Sequence, residues 1–72
     1  MPEMRADHLA WCKGRALEYV DDGDLEGALA SLASDLRKHP QTKPSAEITF
    51  LGVPHVLAGD GRGLRHFIEG FN

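Results

Sequence analysis

Cys12 is the chain's one cysteine, so no disulfide can close within it, and a reducing compartment suits it. No apolar run approaches the ~18 residues that a membrane helix needs, and the first residues lack the basic-then-apolar layout of a secretory leader. The expectation is a soluble, cytoplasmic protein with no membrane partner. Basic residues are scarce in one half. Residues 1–36 carry eight acids and three bases, residues 37–72 three acids and five bases, for a net charge of −3. That balance argues against nucleic acid as a partner, because phosphate recognition needs clustered Lys and Arg. The asymmetry suits orientation of a protein partner or of a second copy of the chain. Length is short as well. The 72 residues allow one domain, whose core supplies roughly 3–5 kcal/mol of net support. A deep catalytic cleft with its own supporting shell does not fit in that size.

What is present is helical periodicity. Over residues 4–22, Leu9, Cys12, Ala16, Tyr19 and Val20 recur at spacings of three and four, the period of one helix face. Gly23 ends that run, and Asp24 is placed as the N-cap of the next helix. Leu25, Ala28, Leu29, Leu32 and Leu36 then trace a second stripe. Arg37, Lys38 and His39 sit at its C-terminal end, where the macrodipole favours cations, and Pro40 closes it. After the connector 41–45, the segment 46–58 is apolar almost all round. It is expected to be a helix buried on several sides and kinked by Pro54, with an extended segment as the alternative because "ITFLGV" is rich in β-branched residues. Leu64, Phe67, Ile68 and Phe71 mark a short last helix. The expected fold is all-α: about four helices arranged as two hairpins, 4–40 and 46–71, in one domain.

The two turns look alike. Placing Gly23-Asp24 on Gly59-Asp60 gives an offset of 36 residues that also matches Val20 with Val56, Leu17 with Val53, Leu32 with Ile68 and Ala16 with Gly52. A period of this size is typical of helix–turn–helix repeats. Whether the hairpins stack as repeats or close as a bundle is left open by the pattern.

Two resemblances rest on these residues. Ala16, Tyr19, Gly23-Asp24, Leu25, Ala28, Leu32, Leu36 and Pro40 resemble a tetratricopeptide-type hairpin, with Arg15 at a position that family fills with an apolar residue and Asp35 at a small one. Three blocks in order, "WCKGRALEYVDDGD", "SLASDLRKHP" and "RHFIEGFN", are similar to a group of small proteins encoded by bacteriophages and prophages. That resemblance implies a viral accessory product acting inside a bacterial host cell, and no particular activity.

Candidate chemistry is thin. His8 and Cys12, four apart, can share one helix face, but two ligands are half a zinc site and no second pair completes it. Asp22, Asp24 and Glu26 imitate the start of an EF-hand loop, but Ala33 stands where its bidentate Glu is needed. "GDGRG", with Arg62 and Arg65 beside it, has the makings of an anion-binding turn at a helix start, yet lacks the Walker Lys and Ser. His55 is expected beside Ile48 and Leu51, and His66 to face away from its apolar stripe; neither finds a nucleophile by spacing. No catalytic residue, metal or cofactor is therefore expected. Trp11 is the exception to the plain reading. On a helical wheel it lies with Met4, Asp7, Arg15 and Glu18, away from the apolar stripe. Met4, Trp11, Arg15 and Glu18 are the candidate partner-binding face, with Trp11 wedged against the second hairpin as the alternative. The expected function is a non-enzymatic protein-interaction module that binds a host protein. The other reading is a homo-oligomeric structural protein.

Overall fold

The computed structural model describes the backbone of residues 4–71 and the side chains of residues 6–71. Its helices are α1 (Met4–Asp21), α2 (Leu25–Arg37), a 3-10 helix (Lys43–Gly52), α3 (Val53–Leu57) and α4 (Gly61–Glu69). There is no strand among the described residues, so the fold is a small all-α bundle.

The turn between α1 and α2 explains the acidic stretch around residue 23. Gly23 takes φ +81°, a conformation in which a Cβ is strained, and the chain reverses there. The Asp24 carboxylate then accepts the Gly27 N–H at 2.8 Å, satisfying one of the orphan donors at the start of α2. The turn between α3 and α4 repeats this construction 36 residues later. Gly59 has φ +66°, and Asp60 accepts the Gly63 N–H at 2.9 Å. Even the bond that closes each turn recurs, from the Asp24 N–H to the Tyr19 carbonyl at 2.9 Å and from the Asp60 N–H to the His55 carbonyl at 2.8 Å. Gly23→Ala and Gly59→Ala should each lower the free energy of unfolding in urea by about 1 kcal/mol through the same backbone penalty.

The stripes pack as their spacing requires. Leu9, Cys12 and Ala16 from α1 meet Ala28, Leu32 and Leu36 from α2, with Ala46 of the 3-10 helix and Leu64, Ile68 and Phe71 completing the core. Tyr19 departs from the expected stripe and lies exposed at its edge. At the end of α2 the buried Thr42 hydroxyl donates to the Leu36 carbonyl at 2.6 Å, pinning the connector to the helix. Around the bundle, α1 packs on α2, α2 on the 3-10 helix and α3, and α3 on α4; α4 packs back on α1. An ion pair from Arg65 to Asp21 and a bond from Lys13 Nζ to the Glu69 carbonyl at 3.0 Å tie that last seam. The hairpins close on each other.

The third segment corrects the expectation for residues 46–58. It begins at Lys43, inside the presumed connector, and winds as a 3-10 helix before changing to α-helix at Val53. Pro54 has no N–H and its ring would collide with the carbonyl four residues back, so α-winding cannot continue through Phe50. The Val53 N–H instead bonds the Phe50 carbonyl three residues back. With three residues per turn, Ala46, Thr49 and Gly52 align on one face, and these small residues are buried, as is Ser45 beside them. The large ones are turned outward, contrary to a helix buried on several sides: Phe50 is 67% exposed, Leu51 54% and Leu57 82%. Gly52 lets the backbone come close, because a Cβ there would lie 2.9 Å from Phe67 Cε2 and 3.0 Å from Leu29 Cδ1, and those side chains would have to shift.

Candidate interaction site

Asp35 is the organising residue. It lies on the side of α2 that packs against α1 and is 2% exposed. Its Oδ2 accepts from Arg15 Nε of α1 at 2.8 Å and from Ser31 Oγ at 3.3 Å, while Oδ1 pairs with Lys38 Nζ at 3.0 Å. Burial alone would push the Asp35 carboxyl up, but the hydrogen bonds from Lys38 and Arg15, with their charges, outweigh it. Its pKa is held below the usual aspartate value. Arg15 and Asp35 are the two residues that depart from the tetratricopeptide-type pattern, and they are partners.

The two cations held by Asp35 frame Trp11. The Arg15 guanidinium carbon lies 5.1 Å from the indole centroid and Lys38 Nζ 5.9 Å from it, both within cation–π range. The His8 ring stacks against Trp11 at 5.6 Å, with 24° between their planes, and His39 adds a further ring 5.1 Å from His8. His8 is fixed in turn, its Nε2 lying 2.9 Å from the Asp35 carbonyl oxygen. Trp11 is thus an indole held by cations on its flanks, yet 47% exposed. Its ring partners lie on α1 and at the end of α2, which does not match a wedge against the second hairpin.

No family model, curated protein or solved structure matches this chain.

Of the four residues expected on the partner face, Trp11 and Arg15 are brought into contact. Glu18 is exposed further along α1, lining a shallow polar groove with Arg15, Tyr19 and Asp22. The side chain of Met4 lies outside the described residues. His8, Lys38, His39 and Asp35 were not expected at this site, because three of them come from the far end of α2 or beyond it. The one available signal was the pair of oppositely charged residues at positions where a helical hairpin uses uncharged ones.

The other candidates resolve differently. His8 and Cys12 do share a face, with Nε2 and Sγ 3.5 Å apart. Among the described residues, however, no group of three or more His, Cys, Asp or Glu side chains could hold a metal ion. Cys12 is fully buried; burial, with the Asp35 charge behind it, pushes its thiol pKa up, so the nucleophilic thiolate is disfavoured. The turn at "GDGRG" is filled from within. Asp60 takes the Gly63 N–H, and Arg65 is committed to Asp21, leaving Arg62 exposed within electrostatic reach of the Asp60 carboxylate. Hydrogen bonds from the Gly63 N–H and from His55 lower the Asp60 pKa, which places a negative charge where an anion would sit. His55 lies against that carboxylate at 3.4 Å and 6.3 Å from the Phe67 ring centroid, rather than among Ile48 and Leu51, whose side chains are turned outward. His66 is exposed, facing away from its stripe as expected.

A second surface feature is apolar. The outward side of the 3-10 helix and α3 forms an open groove with α2, of about 890 Å³, lined by Leu29, Ala30, Ala33, Phe50, Val53 and Leu57 among others. Among the described residues no helix is long and apolar enough to cross a membrane.

Proposed function

We propose that this chain is a non-enzymatic protein-interaction module, a small phage or prophage accessory protein that binds and modulates a bacterial host protein in the host cytoplasm. Inhibition of that protein or interference with a defence system belongs to this class. The observation that carries the reading is Trp11, half exposed and in contact with Arg15 and Lys38. Tryptophan and arginine are among the residues most often found as energetic anchors of interfaces, and ring contacts made within the chain reduce the freedom an indole has to lose on binding. The similarity of the three sequence blocks to phage-encoded proteins supports the setting.

The test is an affinity capture from bacterial lysate with the tagged protein, alongside Trp11→Ala. Trp11 contributes little to the core, so the variant should keep the helical circular-dichroism signal and the unfolding midpoint of the parent. It should bind the captured protein at least tenfold more weakly, a loss of about 1.4 kcal/mol or more. A partner retained equally by the variant, or a variant that unfolds, would remove Trp11 from the interface.

A further inference from the structure

The apolar groove lies on a different part of α2 from the Trp11 cluster and has its own logic. On α2, Glu26, Ala30, Ala33 and Arg37 follow one another at steps of four, three and four, so they form one row along the helix. Glu26, Ala30 and Ala33 line the groove, and Arg37 continues the row one turn on. The row reads acid, small, small, base. Turned end for end, it reads base, small, small, acid: it is its own complement. A two-fold axis between Ala30 and Ala33 sets each alanine opposite the other's counterpart and each acid opposite a base.

We infer that this groove is the interface of a symmetric homodimer, in which the α2 helices of two copies pack antiparallel and Glu26 faces Arg37 of the partner subunit. The alanines permit close approach of the two helix axes, at the short end of the 8–10 Å range for packed helices. At that distance the outward Phe50, Val53 and Leu57 of each copy reach over the other's groove and leave water. Phe50 is turned outward where the 3-10 helix buries its small residues, and Val53 and Leu57 of α3 are exposed beside it. A standard interface buries about 800 Å² per partner, less than a fifth of the 4509 Å² that one chain exposes. Antiparallel pairing also sets the helix dipoles favourably. An unrelated peptide would fill the groove without needing a row that is complementary to itself, and that property is what selects a second copy as occupant. The inference is independent of the Trp11 reading.

The test is the mass in solution of the purified chain, by sedimentation equilibrium across a wide range of concentration, with Glu26→Arg and Arg37→Glu. The parent should sediment as two chains. Each single variant places like charges at both ends of the row and should raise the dimer dissociation constant at least tenfold. Mixed in equal amounts, the two variants again set acid opposite base at both ends and should recover the two-chain mass as a heterodimer. That recovery also shows that neither substitution acted by unfolding the chain. A parent that is monomeric throughout, variants that dimerise as well as the parent, or a mixture that fails to recover the dimer would each overturn the proposed pairing.

Discussion

Leu32→Ala should leave the protein close to unfolded at 37 °C. Leu32 is fully buried, in the middle of α2, in a core that also takes residues from α1, the 3-10 helix, α4 and the segment just after it. Truncating a leucine at such a site costs roughly 2–5 kcal/mol, the transfer free energy of the lost atoms plus the cavity that remains. A domain of this size holds only about 3–5 kcal/mol of net stability from its core. The two ranges overlap, so the cooperative unfolding transition seen by circular dichroism should fall by well over ten degrees, or vanish. A loss below about 1 kcal/mol would mean that the surrounding helices collapse into the space, and that the core is more loosely packed than its complete burial implies.

Asp35→Ala is expected to cost about 2 kcal/mol, less than the 3–5 typical of a severed buried ion pair. The reason is asymmetry of burial. The carboxylate is 2% exposed, but its partners Arg15 and Lys38 keep 45% and 59% of their side-chain surface in water and can be resolvated once released. The acid dependence should report the same group. Because the folded pKa of Asp35 lies below its unfolded value, its contribution is fully present above the unfolded value, near pH 4, and is lost as pH falls through the folded value. Urea titrations from pH 7 downward should therefore find the parent losing more stability than Asp35→Asn below roughly pH 4, with the two curves converging. Parallel curves would assign the acid sensitivity to other carboxylates. Releasing Arg15 and Lys38 also frees the flanks of Trp11, so Asp35→Ala should increase the mobility of the indole, read as lowered fluorescence anisotropy.

Both expectations connect the core to the candidate site, because α2 serves each through a different row of residues. One row, Ala28, Leu32 and Leu36, is the core. A second, with Ser31, Asp35 and Lys38, faces α1 and supports Trp11. A third, Glu26, Ala30 and Ala33, borders the open groove, and Arg37 continues it one turn on. Only the first was legible as a stripe, because hydrophobic periodicity registers what is buried within the chain and is blind to charged rows.

The local signals were sufficient for α1, α2, α4 and the two Gly-Asp turns. Each depends on interactions within a few residues: a glycine at positive φ, an aspartate capping the third N–H beyond it, and apolar side chains every third or fourth position. Tertiary structure decided three other things. The hairpins close into a ring because α4 packs on α1, a contact between residues some 50 positions apart in the chain that no local pattern records. Residues 43–52 wind with three residues per turn, which puts the small residues Ala46, Thr49 and Gly52 on the side that packs on α2, with Gly52 against Leu29 and Phe67, while Pro54 denies Phe50 its α-helical bond; composition alone reads that stretch as a buried helix. And Asp35, an acid where a small residue is expected, is accommodated because the fold brings Arg15 to it from a neighbouring helix. A buried charge is tolerable only with its partner in place, and which residue provides that partner is a property of packing.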